Sequence, residues 1–272
     1  MALRDPSLRK LMKQLNLTIE LQLNHFVRFA HEIASASGIG VISKEVFEKS
    51  NLLLNQLCSM NDDFFKSNCI DKLLDIPFVV PYVVENQYVP IADSISRGKL
   101  APIRGMVKRE NWKICWSSSL VFPIELRQTR KQVMSFLKIL DNPLPDQWCA
   151  HCKTVGKNIL NALKKAPKTI DQKDSKFVME WIYKSVSFYE QNVDMKTEFF
   201  DIPIVYLPER NFIVPAKNIV VQCQSTDEIP PYVMQAPTYY GKYFDTFLKL
   251  VRRITLLFGC TVPAFTRGTV IT

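Results

Sequence analysis

Glycine is scarce in this chain, with 8 among 272 residues. Gly38-Ile-Gly40 is followed by neither a third glycine nor a Lys-Ser/Thr pair, so neither common phosphate-cradling loop is present. Histidine is scarcer still, at 3 residues. His25 and His31 stand on one predicted helix at a spacing that turns them to different faces and misses the four-residue step of paired helical metal ligands. Ser117-Ser118-Ser119 lacks the Gly-x-Ser-x-Gly turn that exposes a nucleophile. No pair of carboxylates stands out for acid–base work. No catalytic residue, metal site or cofactor is therefore expected.

Long apolar runs are missing as well. Lys, Asn, Glu or Pro interrupts each one well short of the ~20 residues a membrane helix needs. Met1 leads into Arg4-Asp5-Pro6 with no apolar region behind it, which predicts no secretory signal. The 7 cysteines are odd in number and irregularly spaced, as reduced thiols of a cytosolic or nuclear protein would be. Cys149-Ala-His-Cys152 is the sharpest chemical string: half a zinc site or a redox pair in form, but without the second closely spaced pair that a four-ligand site uses. The competing reading makes both thiols small apolar fillers near a helix start.

Proline, by contrast, is plentiful at 16 residues, and it punctuates a phrase written twice. Asp75-Ile-Pro-Phe-Val-Val-Pro-Tyr82 runs on to Tyr88-Val-Pro90, and Asp201-Ile-Pro-Ile-Val-Tyr-Leu-Pro208 runs on to Phe212-Ile-Val-Pro215. Each copy is a β-branched and aromatic run, a polar break (Glu85-Asn86-Gln87; Glu209-Arg210-Asn211) and a second apolar run ending in proline. The pattern predicts two hairpins, over 75–90 and 201–221, with prolines where ladder donors are dispensable.

Between and around them lie amphipathic segments. Leu8, Leu11, Met12 and Leu15 have helical spacing, and a second helix after Thr18 would bury Ile19, Leu23, Phe26, Val27 and Ala30. Ser43 is placed to N-cap a third helix that buries Val46, Leu53, Leu54 and Leu57, with Glu45 in its first turn. A short helix is predicted from Asp62 to Leu74. Trp112-Lys-Ile-Cys-Trp116 alternates as a half-buried strand over 112–120 would, and Pro123 opens a helix to Leu140. Helices are predicted over Asp146–Lys164 and Asp174–Gln191, the latter with Phe177, Trp181, Ile182, Val186 and Tyr189 on one face, and a last one over Tyr239–Phe258. Asn142-Pro-Leu-Pro145 is the clearest break, dividing a half over 1–142 from one over 143–272. The sum is an α+β fold, mostly helical groups packed around small proline-bounded hairpins.

The formal net charge of +9 is unevenly spread. Arg97, Lys99, Arg104, Lys108, Arg109 and Lys113 form a basic stretch, while Glu45 to Asp93 is acidic. Those six residues are the candidate binding site for an anionic partner, either nucleic acid or an acidic protein surface. The plainer reading pairs them with the acidic segment or leaves them as solvated faces. Trp112 and Trp116 border the stretch, and bases stack on aromatics beside cations, but no nucleic-acid-binding motif accompanies them.

At the hairpins the sequence resembles a known family. Leu74-Asp-Ile-Pro-Phe-Val-Val-Pro81, followed by Ile114-Cys-Trp-Ser-Ser-Ser-Leu-Val-Phe-Pro123, resembles the large repeats of sacsin-like proteins. Trp181-Ile-Tyr183, Ile202-Pro-Ile-Val205, Phe212-Ile-Val-Pro-Ala-Lys-Asn-Ile-Val-Val221, Pro231-Tyr-Val-Met234 and Tyr239-Tyr-Gly-Lys-Tyr-Phe-Asp-Thr-Phe-Leu-Lys-Leu250 continue the likeness. Val251-Arg-Arg-Ile-Thr-Leu-Leu-Phe258 departs from it. The resemblance implies a cytoplasmic, non-catalytic scaffold or co-chaperone segment that contacts chaperone machinery or unfolded clients. The nucleotide-binding motifs that open such repeats are not in this sequence, so no nucleotide-binding residue carries over.

Overall fold

The computed structural model of the chain describes residues 22–37, 42–60, 62–65, 70–83, 99–125, 131–165 and 172–219. They form an α+β fold, mostly helical, with a two-stranded antiparallel sheet. They divide into two compact units. The first holds the described residues up to Val83, those from 99 to Arg109, and Leu120–Asp141; the second holds Glu110–Ser119 and the described residues from Asn142 onward.

In the first unit, helix α1 (Leu23–Ala36) buries Leu23, Phe26, Ala30 and Ile33, one stripe at steps of three and four. Its extension back toward Thr18 and the helix at Leu8–Leu15 lie outside the described residues. Helix α2 (Lys44–Cys58) starts as expected: the Ser43 hydroxyl accepts the Val46 N–H at 3.2 Å, and Val46, Leu53, Leu54 and Leu57 are buried. The helix expected over Asp62–Leu74 is described as two short pieces, α3 (Asp62–Phe65) and α4 (Ile70–Leu74). A further short helix, α5 (Lys131–Phe136), stacks Phe136 on Phe65 with ring centroids 5.3 Å apart. That is less than the helix read from Pro123 to Leu140. Pro123 and Ile124 form a bend, and Ile139 and Leu140 lie beyond the helix end.

The first proline phrase is described only as far as Val83, and its return run at 88–90 lies outside the described residues. Within the described part, Val79 exchanges two backbone hydrogen bonds with Ala101, at 2.8 and 3.1 Å. The unit's other β contacts are single rungs, with Val107 bridged in parallel to Val121 and to Leu140.

Residues 112–120 are not a strand: Arg109–Ile114 is a 3₁₀ turn, and the backbone goes on in turns to Ser119. Trp112 accepts the N–H groups of Cys115 and Trp116, which places the two indoles edge to face at 5.5 Å. A residue pair four apart meets on a helical turn as readily as alternation places it on a strand face, and the turn satisfies more backbone locally.

Helices α6 (Pro145–Lys165) and α7 (Gln172–Tyr189) follow, then the short α8 (Met195–Phe199) and a hairpin of β1 (Pro203–Leu207) and β2 (Phe212–Pro215). The expected turn is present. Pro208–Arg210 is a 3₁₀ turn closed by Asn211 in the left-handed region at φ 45°, a position asparagine tolerates. Pairing runs Pro203 to Pro215, then Val205 to Val214, so Ile204 is the extra residue of a bulge. Every residue of β1 is buried, and the strand packs on both α6 and α7. The predicted terminal helix over Tyr239–Phe258 lies outside the described residues.

The close approach of α6 to β1 depends on one missing side chain. A Cβ on Gly156 would stand 2.1 Å from the Pro203 carbonyl oxygen and 3.2 Å from its carbon. Alanine would raise helix propensity by about 1 kcal/mol, but backbone atoms at that range cannot yield as a flexible side chain would. Gly156→Ala is therefore expected to destabilise the chain by about 2 kcal/mol, read as a lower urea midpoint; an unchanged or higher midpoint would remove the close approach as a constraint.

Candidate interaction site

Of the six basic candidates, Lys99, Arg104, Lys108 and Arg109 belong to the first unit and Lys113 to the second. Arg97 lies outside the described residues, and Lys99 is exposed. Arg104 is engaged in ion pairs: its Nε donates to Asp75 at 2.5 Å and an Nη to Asp71 at 3.0 Å, with Lys138 also bound to Asp71. These partners hold both carboxyls below the usual range and push the guanidinium up. Arg109 donates to the Pro123 carbonyl at 2.8 Å and lies over the Tyr82 ring at 4.3 Å. Lys108 is half-buried and has an interaction of its own. Arg104 is paired with carboxylates of the acidic segment, whereas Arg109 is held by a carbonyl and a ring.

Lys113 is different. It belongs to the second unit, at the end of the 3₁₀ turn, and its ammonium lies over three aromatic rings: Trp181 at 4.2 Å, Phe177 at 4.9 Å and Trp112 at 5.8 Å. Lys184 lies over Trp181 as well, at 4.9 Å. Among the described residues neither lysine has a carboxylate partner. A cation over a ring is worth about 0.5–1 kcal/mol at an exposed site, so three rings outweigh the usual surface ion pair and hold Lys113 without an acid.

Two of the rings, Phe177 and Trp181, come from α7, where the sequence grouped them on one face with Ile182, Val186 and Tyr189. The buried stripe of α7 is Ser175, Val178, Met179, Ile182, Tyr183, Val186 and Tyr189. Phe177 is 46% exposed, Phe188 is 58% exposed and Trp181 is half-buried. Aromatic character made Phe177 and Trp181 look internal, but the arc already filled by the smaller apolar residues leaves them outside it. Phe188 and Lys184 escaped notice altogether. The available signal was an excess: α7 carries more large apolar residues than one buried arc can hold.

The remaining chemical candidates are internal. His25 accepts the Gln22 N–H at 3.1 Å as part of the α1 N-terminus, and His31 is exposed. His151 is fully buried. Its Nε2 faces the Lys113 carbonyl at 3.2 Å, which can only accept, so Nε2 carries the proton and Nδ1 accepts the Ser117 hydroxyl at 2.7 Å. Trp116 lies edge-on at 4.3 Å. A serine hydroxyl on a neutral imidazole has the outline of a nucleophile and base, but both side chains are enclosed and the imidazole's second nitrogen is tied to backbone. The pair fastens the 3₁₀ turn to α6. Cys115, Cys149 and Cys152 are buried free thiols, and burial pushes Cys115 up to about 12 and Cys149 to about 11. Such thiols stay protonated at neutral pH, which suits the filler reading of Cys149 and Cys152. Among the described residues no three His, Cys, Asp or Glu side chains group as metal ligands would. Among them, too, no helix is long and apolar enough to cross a membrane. No family model, curated protein or solved structure matches the chain.

Burial of His151 gives a pH dependence of known sign. Desolvation pushes its pKa down from 6.5 to about 3, only partly opposed by the bond to Lys113. Between those values the unfolded chain binds the proton and the folded chain does not, so stability rises with pH across this window and is lost as pH falls. From pH 6.5 down to about 4 the loss is on the order of 3 kcal/mol. Asp71 and Asp75, held low by their cations, add their share only at more acidic pH. The expected observation is a urea midpoint that falls steadily over pH 6.5–4 in the native chain and is flatter in His151→Gln. Equal slopes would assign the acid sensitivity to another group.

Proposed function

We propose that the chain is a non-catalytic binding segment, of the scaffold or co-chaperone kind that its sacsin-like phrases imply, working through protein–protein contacts with chaperone machinery or unfolded clients. The observation that supports this reading is the solvent face of α7. Phe177 and Phe188 sit opposite the buried stripe, with two ammonium groups held over the intervening Trp181. Large aromatics are among the residue types enriched at the centres of protein interfaces, and lysines beside them belong to the polar rim. Buried polar chemistry elsewhere in the unit fits a structural role, as the Ser117–His151 pair illustrates.

The second reading, a basic module for nucleic acid or another polyanion, draws support from Lys113 among aromatics. It is weakened by Arg104, whose charge two aspartates already offset. Binding to oligonucleotides should then be weak and nearly flat with salt, whereas a steep dependence would favour the polyanion reading.

The purified chain is expected to slow the aggregation of a thermally unfolded client enzyme, or to co-purify with a chaperone, and the Phe177→Ser/Phe188→Ser variant is expected to lose most of that effect. A chain that does neither overturns the reading. Circular dichroism of the variant checks that replacing two exposed side chains leaves the fold in place.

A further inference from the structure

The exposed face of α7 has a periodicity of its own. Phe177, Trp181, Lys184 and Phe188 follow one another at steps of four, three and four. That is the spacing of alternating d and a positions in a heptad, sustained over three turns. Phe177 and Phe188 are thereby about 16 Å apart along the helix axis, with Lys184 between them at a seam position. A polar residue at one such position sets register and partner choice at some cost in affinity. The free face of an ordinary surface helix carries polar residues here.

We propose that this face of α7 docks an amphipathic helix of a partner protein, one with apolar residues at its own seam positions and an acidic residue opposite Lys184. The inference rests on the protein-contact reading above and names the partner's chemistry. Charge complementarity selects the occupant. Lys113 and Lys184 bring two positive charges to the seam with no carboxylate partner among the described residues. The chain's own segment Tyr239–Phe258 has apolar residues enough, but it carries Lys242, Lys249, Arg252 and Arg253 against Asp245. Like charges across a seam disfavour that pairing. A single nucleic-acid strand needs open ring faces for its bases, and ammonium groups already lie over Trp181.

The test uses the full chain and two designed three-heptad helical peptides with leucine at their seam positions. One carries glutamate opposite Lys184 and flanking the seam; the other carries lysine at the same places. The glutamate peptide is expected to bind at least about tenfold more tightly than the lysine peptide. Phe177→Ser/Phe188→Ser should weaken it about tenfold, and Lys184→Glu should reverse the preference so that the lysine peptide becomes the tighter ligand. The reversal separates seam recognition from general attraction to a basic protein, and all the altered residues are solvent-facing, so folded variants are expected by circular dichroism. Equal binding of the two peptides, or binding of neither, overturns the inference. So does displacement of the glutamate peptide by an oligothymidine with a steep salt dependence, which would give the face to nucleic acid. Sedimentation of the free chain as a dimer that Phe188→Ser dissociates would give it to a second copy. Client protection without peptide preference would overturn this inference alone; peptide preference without client or chaperone binding would remove the chaperone reading and leave the docking face.

Discussion

A strand buried on both faces has no water for its backbone, and in the second unit the elements around β1 meet that demand. The hairpin's prolines stand at the pairing limit, Pro203 of β1 against Pro215 of β2, where a missing donor costs no rung. The bulge at Ile204 would leave a carbonyl unpaired, but the Tyr183 hydroxyl donates to it and also accepts the Tyr206 N–H at 3.3 Å. A buried tyrosine thus uses both capacities of its oxygen to replace a ladder bond, and does so from the core stripe of α7. On the other side Gly156 lets the α6 backbone reach the strand. The register of α7 is fixed by the same bond. With Tyr183 turned inward to the strand, Phe177 and Phe188 have nowhere to face but outward.

The twice-written phrase has a clearer meaning in three dimensions than as a hairpin signature. In each copy a five-residue helix ends on a buried residue, Leu73–Leu74 in one and Phe199 in the other, and its last turn accepts the N–H of the isoleucine in Asp-Ile-Pro. Ile76 donates to Leu73 at 3.2 Å and Ile202 to Phe199 at 3.3 Å. Proline then forbids further helix and sends the chain out extended. The aspartate that opens each copy holds a downstream cation, Arg104 at 2.5 Å and Lys217 at 2.6 Å. The unit that recurs among the described residues is a helix exit, followed in the second copy by the β1–β2 hairpin.

These distinctions mark how far the residues alone could be read. The amphipathic helices were legible because burial follows a 3.6-residue period, and the Ser43 cap, the long α6 and the β1–β2 turn stand where pattern and turn chemistry placed them. The Trp112–Trp116 turn was not legible as a turn, since tryptophan and isoleucine at alternate places satisfy strand propensity equally well. The basic stretch showed in the charge pattern, but ion pairing in space decides which charges remain. Asp71 and Asp75 reach Arg104 from about thirty residues away, a convergence that no local pattern encodes. The α7 face was hidden for a different reason. A helix with apolar residues around most of its circumference gives no single arc, and only the position of the core picks out which aromatics are left over.

Exposed phenylalanines are a hazard to a free protein as much as an opportunity for a bound one, and the lysines over the rings bear on both. Lys113 and Lys184 keep positive charge against Trp181, so polarity interrupts the seam between Phe177 and Phe188. Two copies of the face meeting each other would bring four ammonium groups together in a drying contact, which disfavours self-association where an all-apolar stripe would invite it. A partner bearing carboxylates escapes that penalty. It can retain the ring contacts and add charge pairing that neither lysine has among the described residues. Specificity on such a face comes from what the lysines refuse, and the proposed acidic helix is the occupant against which that refusal does not operate.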